Sequence, residues 1–417
     1  MRKVLLITFL WSVVMLFGMC SNQNVRYVSE GDVPSLSLDK EPSLQGFRLS
    51  GVFDSVRVIP LDNREMLLSG VERFDVYGDR LVVMDNFMTG QGIGLFDRKG
   101  RLVRQVGRQG MGPGEYRRCC DFAIDREEGA AYVCDDMGRQ ILVYRLSDGR
   151  HLRTLPFPKG LMPSRVWCKD GSLYALKTFF HMDKEYEQGY MLYQLDKSDG
   201  KILRKWFHCQ EYNKGWPDEY VMSNAFYHVS GGKDLFAFGL MDTIMCLERN
   251  RIYPYLTFNG KKVLKKEEVS ALMKNVNMAD PSARSEAASR MLMDLGMKGG
   301  KMLNLSDLFE HRGVLYFNYA SMARYPMAYN GKTGELAVYA GMTDDVLFKD
   351  RMPDGFTFFT FLGADEGGVY YTLSLDSQSE LAAAAGHGLL SGKVCNAEVL
   401  RSLDADSNPV ILYYEFK

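Results

Sequence analysis

Histidine is the side chain best suited to bind a metal or to transfer a proton near neutral pH. The chain has six: His151, His181, His208, His228, His311 and His387. None has the H-x-x-x-H or H-E-x-x-H spacing that places two zinc ligands on one helix face, and no G-x-S-x-G turn presents a nucleophilic serine. The spacing predicts structural roles for single histidines. A metal bound by residues from distant segments stays open, because spacing cannot reveal such a site.

Gly110, Gly112 and Gly114 have the spacing of a phosphate-binding loop. Such a loop needs a strand before it and a helix after it, because the helix N-terminus binds the anion. Here a β-rich run at 120–124 follows instead, and Pro113 removes one backbone donor. The segment therefore predicts a turn between strands and no nucleotide site.

Neighbouring carboxylates occur at Asp135-Asp136, Asp344-Asp345 and Asp365-Glu366. Each pair follows a β-rich run or lies in a turn, which predicts solvated turns. A glycosidase needs two carboxylates at a defined separation in space, and the sequence does not give that separation. No residue is assigned a catalytic role on this basis.

The segment 210–220 is polar, aromatic and long for a hairpin loop. Tyr212, Trp216 and Tyr220 are the candidate ligand-binding residues, since loop aromatics can contact a sugar or a peptide. A packed loop is the alternative. The aromatic residues within strands are expected to pack between strands.

A repeat of six units must position these residues. A short β-rich run with a glycine-containing turn before it recurs at 81–84, 131–134, 173–176, 235–238, 315–318 and 369–372. A second run follows each copy, a further strand follows five of them, and an apolar strand precedes each turn. Four strands per unit and six units predict an all-β, six-bladed β-propeller of four-stranded blades.

The sixth unit lacks an outer strand because its last run, 411–416, ends the chain. A spare β-run at 56–61 precedes the first unit, and we expect it to complete the last blade and close the ring. Two helical insertions, at about 261–302 and 376–409, are expected on one rim. The first has apolar residues at helical spacing and Asp280-Pro281 as a start signal.

The run from Gly107 to Tyr116 (GRQGMGPGEY) resembles the Gly-x-Gly-Pro-Gly-Glu-Phe/Tyr connection of exported six-bladed propellers from Bacteroidetes-type bacteria, a family similar to NHL-repeat propellers. The LFDRKG run at 95–100 and the Asn408-Pro409 ending also resemble this family. The resemblance covers about residues 52–417 and implies the fold and export. It implies no particular reaction, because members of the family are mostly uncharacterised.

The N-terminus has the features of a signal peptide. Arg2 and Lys3 precede an apolar run at 4–19, which is shorter than the roughly 20 residues of a membrane-spanning helix. Cys20 ends a stretch that resembles a bacterial lipobox, so residues 1–20 predict a lipoprotein signal with lipid attached to Cys20. An ordinary signal peptide or an uncleaved anchor is the alternative. Residues 21–50 predict a flexible tether, and 51–417 the propeller.

The net charge of −1, from 51 basic and 52 acidic residues, gives no electrostatic reason to expect nucleic-acid binding. The seven cysteines after Cys20 include no C-x-x-C pair, which predicts mostly buried free thiols.

We expect a binding or scaffolding module anchored to the bacterial cell envelope, on a membrane face that the sequence leaves open, with a carbohydrate or protein partner. The alternative is an envelope hydrolase or lyase that acts on a carbohydrate or lactone and holds a metal at the propeller axis; no other cofactor is expected. The lining of the central channel discriminates the two. Three or more Asp, Glu, Asn or His side chains that converge at one mouth would favour the enzyme, and an apolar or plugged channel would count against it.

Overall fold

The computed structural model describes residues 33–417 except 86–91, 178–188, 217–225, 278–279, 322, 350–359 and 404–406. Its β-strands form six four-stranded antiparallel blades. The sequence prediction of a six-bladed β-propeller is confirmed. In each blade the first strand lies innermost, next to the propeller axis, because the first strands of neighbouring blades contact one another.

Each blade consists of four strands that follow one another in the chain, except that β3 completes blade 6. Blade 1 contains β4 (Arg73–Tyr77), β5 (Arg80–Asp85), β6 (Gly92–Asp97) and β7 (Leu102–Val106); blade 2 contains β8 (Cys119–Asp125), β9 (Ala130–Asp135), β10 (Gln140–Arg145) and β11 (His151–Pro156); blade 3 contains β12 (Arg165–Lys169), β13 (Ser172–Leu176), β14 (Tyr190–Leu195) and β15 (Ile202–His208). Blade 4 contains β16 (Phe226–Val229), β17 (Lys233–Phe236), β18 (Thr243–Glu248) and β19 (Arg251–Asn259); blade 5 contains β20 (Asn304–His311), β21 (Val314–Ala320), β22 (Arg324–Asn330) and β23 (Leu336–Val338); blade 6 contains β25 (Thr360–Asp365), β26 (Gly368–Thr372), β27 (Val410–Phe416) and β3 (Phe53–Pro60).

The middle strands of a blade are covered on both faces by neighbouring blades, so they have continuous apolar runs. All six residues of β9 are buried, for example. The outer strands are more exposed, and in β7 half-buried and exposed residues alternate, because one face of the strand meets solvent. This difference in pattern allowed the middle runs to be recognised in the sequence as the repeating unit.

The ring is closed by strands from both ends of the chain. β3 pairs antiparallel with β27, from Val410 opposite Pro60 to Phe416 opposite Phe53. This pairing supplies the missing outer strand of blade 6, as the spare N-terminal run predicted. It also removes the free edges that β27 would otherwise expose.

The predicted tether, 21–50, is ordered against the propeller in its C-terminal half. β1 (Ser35–Ser37) pairs parallel with β19 on the outer edge of blade 4, and β2 (Phe47–Arg48) pairs with β24 (Met342–Thr343). Leu38 and Leu49 are buried. Only residues 21–32 are left for a flexible spacer, and they lie outside the described residues.

The blade order defines two faces. The turn face carries the turns between first and second strands, at 78–79, 126–129, 170–171, 230–232, 312–313 and 366–367. The loop face carries the connections between blades and the loops between second and third strands. Helices α2 (Lys266–Met273) and α3 (Pro281–Arg290) lie in the connection from blade 4 to blade 5, and α4 (Leu375–Gly386) joins β26 to β27. Both insertions therefore belong to the loop face, as expected.

Cations bridge neighbouring blades near the turn face. Arg98, at the turn after β6, lies 2.8 Å from the Asp365 carboxylate of blade 6. Lys197, at the equivalent turn of blade 3, pairs with Asp125 of blade 2. In both turns the cation follows an aspartate that accepts backbone N–H groups of its own turn, so one short motif shapes a turn and joins two blades.

The cysteines are free thiols wherever the structure describes them, and five of these seven are buried. This agrees with the sequence prediction. Cys395 is the exposed exception.

Asn408 connects the chain terminus to the first blade. Its side chain is buried, accepts the Leu68 N–H at 2.7 Å, and donates to the carbonyl oxygens of Asp62 and Met66 at 2.9 and 2.7 Å. One side-chain amide thus forms hydrogen bonds with three backbone groups of the segment that leads into blade 1. This gives a structural reason for the Asn-Pro ending noticed in the sequence.

We expect Asn408→Ala to lower the free energy of unfolding by about 2 kcal/mol, because three buried backbone groups lose their partner. Gln105→Ala is the control, since Gln105 lies exposed on an outer strand. The shift of the urea unfolding midpoint measures both effects. Equal shifts for the two variants would show that the Asn408 amide has no such role.

Candidate functional site

A polar cavity lies on the propeller axis at the turn face. Its volume is about 700 Å³, and it is lined by the ends of the first strands and the following turns of all six blades. We call it the axial funnel. No single blade builds it, so its lining residues range from Asp75 in blade 1 to Phe416 at the end of β27.

The funnel ends blindly. Below it only about 20 Å³ of space remains, between side chains that include Arg73, Trp167, Phe226 and Leu308. The Trp167 and Phe226 rings stack with centroids 5.2 Å apart, and the Arg73 guanidinium lies 5.3 Å from the Trp167 ring centroid. The first strands of blades 4, 5 and 6 also contact one another directly. The central channel is therefore plugged beneath a polar mouth, which makes the funnel a cup.

His228 and Asp234 lie at the wall of this cup. They face each other across the β16–β17 hairpin, and His228 Nδ1 is 2.7 Å from Asp234 Oδ1. The Trp167 indole N–H donates to Asp234 Oδ2 at 2.6 Å, and Lys169 Nζ lies 3.3 Å from Oδ1. A fully buried carboxylate thus receives three donors from two blades.

The environment of Asp234 fixes the orientation of the imidazole. Burial alone would raise the pKa of Asp234, but His228, Lys169 and Trp167 outweigh burial and hold this pKa below its usual value. An ionised carboxylate only accepts hydrogen bonds, so His228 Nδ1 must carry the proton. The imidazole is therefore held with Nε2 turned away from Asp234.

His228 Nε2 is buried and has no hydrogen-bond partner among the described residues. The nearest carboxylate oxygen is Asp75 Oδ1 at 3.8 Å, which is too long for a hydrogen bond. Asp75 itself accepts from Arg126 at 2.7 Å. The His228 side chain is 27% exposed at the wall of the cup, so a bound molecule can contact its ring, while Nε2 itself is shielded by the protein.

The rim of the funnel is acidic. Eight carboxylates and four lysine or arginine side chains line the cavity. The carboxylates of Glu127, Asp170, Glu310 and Glu366 have no hydrogen bond or ion pair within the part of the chain that the structure describes. These groups can accept hydrogen bonds from a bound molecule without first breaking contacts within the protein.

One wall of the funnel is aromatic. The His311 and Phe416 rings stack with centroids 4.2 Å apart, and both residues line the cavity. Burial lowers the pKa of His311, and the neighbouring Arg312 adds to this effect. His311 is therefore held in its neutral form, in which it presents a flat and weakly polar surface beside Phe416.

The predicted ligand-binding residues of 210–220 do not lie at the funnel. Trp216 is only 1% exposed and packs with the helical insertion, among residues such as Val269 and Met291. Tyr212 is half-buried and packs edge-on against Phe207 with ring centroids 5.0 Å apart. Both positions agree with the packed-loop alternative. Tyr220 and Cys20 lie outside the described residues, so these two assignments stay predictions.

Two of the neighbouring carboxylates do not lie in solvated turns, as the sequence predicted for them. Asp135 and Asp344 are buried. Asp135 accepts the backbone N–H groups of Arg117, Arg118 and Gly138, so it connects two loops. The sequence showed both residues at strand ends, but it could not show which neighbouring loops fold over them.

The glycine-rich run at 107–116 is a turn between blades 1 and 2, as predicted. The Gly112 N–H donates to the Glu115 carboxylate at 2.8 Å, and the Gly110 N–H donates to the Tyr116 carbonyl at 2.9 Å. These contacts occupy backbone N–H groups that a phosphate loop would need. Across the described ranges, no group of three or more His, Cys, Asp or Glu side chains is placed to hold a metal ion.

Sequence reasoning missed the funnel residues, because they lie at strand ends and in short turns that resemble ordinary surface. One signal was available: Asp234 directly precedes the apolar run 235–238, and His228 is six residues earlier, opposite it in a hairpin. A charge buried in a strand needs a partner, and the cross-strand position is the natural place for it.

Fold and site together define a six-bladed propeller with a blind axial cup that many charged residues line. The plugged floor counts against the metal-dependent enzyme, whereas the carboxylates and histidines at the mouth meet the condition that favours it, so the channel lining alone does not discriminate the two. A family model described as a domain of unknown function, DUF4934, matches residues 35–415, and the chain belongs to this family. No curated protein matches the sequence.

Two solved structures are similar to the chain. One is a Bacteroides fragilis protein that its name provisionally describes as exported, with 17% identity, a TM-score of 0.66, and coverage of 93% of this chain and 100% of that one. The other is a DUF4221 family member from Bacteroides vulgatus, with 12% identity, a TM-score of 0.48, and coverage of 88% and 97%. The first similarity supports the fold, and the second is too weak to support more. In the described part of the chain, no helix is long and apolar enough to cross a membrane.

Proposed function

We propose that the protein is a binding module of the bacterial cell envelope that holds a small carbohydrate in the axial funnel. The observation that carries this proposal is the cup itself: a cavity of about 700 Å³ that all six blades build and that a plugged floor closes. Its volume suits a small ligand, and a concave site with a few convergent polar groups is the usual form of such sites.

The lining favours a sugar. The four rim carboxylates without protein partners accept hydrogen bonds and donate none, so they select a ligand rich in donors, such as hydroxyl or amino groups. The half-buried His311 and Phe416 rings add an apolar patch to the wall, which the C–H groups of a sugar ring can contact. The excess of carboxylates favours amino sugars over acidic sugars.

The envelope location rests on the N-terminus and on the relative. The lipobox-like stretch before Cys20 supports a lipid anchor, and the similar Bacteroides fragilis protein bears a name that describes export. The packed segment from β1 to β2 would begin about 15 residues after the acylated cysteine.

A panel of neutral, amino and acidic sugars, screened by thermal shift and then by calorimetry, tests the binding role. We expect at least one neutral or amino sugar to bind, and we expect Glu310→Gln combined with Glu366→Gln to weaken its affinity about tenfold, as for the loss of one or two charged hydrogen bonds.

Asp79→Asn is the matched control, because Asp79 is an exposed carboxylate of a turn-face turn that does not line the funnel. A panel without any binder would contradict the proposal. A bound sugar whose affinity responds equally to the rim pair and to Asp79→Asn would contradict it as well.

A further inference from the structure

A second cavity lies beside the axial funnel on the turn face. Its volume is about 660 Å³, and it is lined by residues of blades 6 and 1. We call it the side pocket. It shares Val76, Asp365 and Glu366 with the funnel, so the two cavities adjoin. Every turn on this face belongs to the described part of the chain.

A row of three side chains forms the blade 6 wall of the side pocket. Tyr370 pairs with Tyr413 across β26 and β27, and Tyr413 pairs with Arg57 across β27 and β3. Side chains at paired positions lie on the same face of a sheet, and here that face meets blade 1. The Tyr370 and Tyr413 rings stack with centroids 4.6 Å apart. Because Tyr370 is buried, the half-buried Tyr413 ring is the aromatic surface that the pocket presents.

Asp365 fixes the position of the Tyr413 ring. Its carboxylate accepts the Tyr413 hydroxyl at 3.1 Å, the Tyr370 hydroxyl at 2.6 Å and Nη1 of Arg98 at 2.8 Å. Gly367 adds a close approach, since a Cβ there would lie 2.5 Å from the Tyr413 hydroxyl oxygen. The aromatic wall is therefore preorganised, and a ligand does not have to order it on binding.

The equivalent cleft between blades 2 and 3 is filled by its own side chains. The matching row there is Tyr132, Val143 and Arg153. Arg153 Nη2 donates to the Glu128 carboxylate at 3.0 Å and to the Tyr132 hydroxyl at 2.5 Å. Its guanidinium carbon lies 5.5 Å from the centroid of the Tyr132 ring. The outer arginine thus covers the tyrosine in blade 2.

Blade 6 leaves this space open because its outer arginine turns away. Arg57 Nη2 donates to Glu415 Oε1 at 3.0 Å, on the neighbouring strand. The other guanidinium nitrogens of Arg57 have no hydrogen-bond partner among the described residues. The side pocket therefore combines the Tyr413 ring and the free donors of Arg57 with the unpaired Glu366 carboxylate at its border with the funnel.

We propose that the side pocket is a second sugar subsite, and that the ligand is an oligosaccharide of at least two units. This rests on the proposed function, in which the funnel holds the first unit. The adjoining unit places its C–H groups against the Tyr413 ring, and its oxygen atoms accept hydrogen bonds from Arg57. Glu366 accepts hydroxyl groups where the two units meet. Because the linkage makes the second contact intramolecular, a two-unit sugar gains affinity from both cavities.

Calorimetry with sugars of different length tests the second subsite. Glucosamine and its dimer, and glucose with cellobiose and maltose, are titrated into the full chain. We expect at least one dimer to bind roughly tenfold more tightly than its monomer, because the second unit adds an aromatic contact and a hydrogen bond to a charged group.

Tyr413→Val gives blade 6 the residue that blade 2 has at this place. We expect the ratio of dimer affinity to monomer affinity to fall to about one, since the aromatic contact is lost. Tyr325→Val is the matched control. Tyr325 is also half-buried on the third strand of its blade and stacks on Tyr319 of the second strand with centroids 4.7 Å apart, but it lines neither cavity.

Arg57→Gln is a second variant that leaves the aromatic wall in place and changes only an exposed side chain. It should reduce the same affinity ratio about threefold, as for the loss of one hydrogen bond. Arg145→Gln is its control, because Arg145 is equally exposed and pairs with Asp148 at 3.0 Å, outside both cavities.

Two outcomes would overturn the side pocket as a subsite and leave the funnel proposal intact. In the first, a monomer binds but no dimer binds more tightly. In the second, the advantage of the dimer is the same in Tyr413→Val and Arg57→Gln as in their controls. A panel in which no sugar of either length binds would instead overturn the funnel and the side pocket together.

Discussion

Gly100→Ala is expected to lower the free energy of unfolding by about 4 kcal/mol, because it combines a backbone penalty with a steric clash. Gly100 has φ +80°, a conformation that L-residues adopt only at a cost. A Cβ placed there would lie 1.9 Å from the Pro60 carbonyl oxygen. Pro60 ends β3, the strand that closes the ring, and the Gly100 carbonyl accepts the Asp62 N–H just beyond it. The substitution therefore strains the contact between the last blade and the first.

Gly334→Ala separates the two contributions. Gly334 has the equivalent place in the blade 5 turn and a similar φ of +74°, but nothing lies within 4 Å of its Cβ position. We expect a loss of about 1–2 kcal/mol there, from the backbone penalty alone. Urea unfolding of both variants measures the difference. Equal losses would show that the approach of Gly100 to Pro60 does not constrain ring closure.

Asp344→Asn is expected to change the pH dependence of stability by about 3 kcal/mol between pH 4 and pH 8. Burial raises the pKa of Asp344 to about 6, although the Tyr414 hydroxyl and the N–H groups of Leu347 and Val346 partly offset the effect. In the unfolded chain this pKa is close to 3.9. The native state thus binds more protons than the unfolded state in this range, and the contribution of Asp344 to stability is present below pH 4 and is lost as the pH rises through 6.

Asparagine keeps the shape and most of the hydrogen bonds. Its oxygen can accept the same two backbone N–H groups, and its amide can donate to the Tyr414 oxygen, which lies 2.5 Å from the carboxylate. The variant should therefore gain stability relative to wild type as the pH increases from 4 to 8. Urea midpoints of both proteins at several pH values measure this change.

Asp345→Asn is the control, because the pKa of the neighbouring Asp345 is shifted in the opposite direction. Burial would raise the pKa of Asp345, but hydrogen bonds from Ser50 and Arg48 hold it below its usual value. Its contribution to stability is present above pH 4 and is lost as the pH falls, so Asp345→Asn should lose stability mainly at neutral pH. A pH profile of Asp344→Asn that is parallel to wild type would contradict the assignment.

The blade architecture could be predicted from the sequence because the strands and turns of the repeating unit depend on local residue patterns. Buried middle strands need continuous apolar runs, and tight hairpins need turn residues at fixed places. The spare run before blade 1 predicted β3 because an unpaired outer strand in a closed ring has one place to pair. The insertions were also recognisable, since helical spacing differs from the strand pattern.

Contacts between backbone groups, and contacts between residues of different blades, could not be predicted from local residue patterns. The Ser35–Ser37 strand is short and polar, and it pairs through its backbone, so nothing in its composition marks it as ordered. For this reason its sequence predicts part of the flexible tether, 21–50, and not a strand. The interblade cations Arg98 and Lys197 were visible as residues of turns, but their partners are in the preceding blades.

The funnel shows the same limitation. Asp75, His228 and Glu366 come from three blades and meet only after the ring closes. Residue types at these turns predicted solvent-exposed surface, and of the predicted ligand residues Tyr212 and Trp216 do not line the cavity. The plugged floor and the polar mouth could only be distinguished in three dimensions.

The most direct measurement of the central claim is the histidine NMR spectrum of the protein during titration with a sugar from the panel. With 13C-labelled histidine, the His228 signal is assigned from its loss in His228→Gln. We predict that the bound sugar shifts the signal of His228, whose partly exposed ring lines the cup, while His151 and His387 outside the funnel stay unchanged. A saturating sugar that leaves His228 unshifted, or that shifts only the other two, would contradict the axial funnel as the binding site.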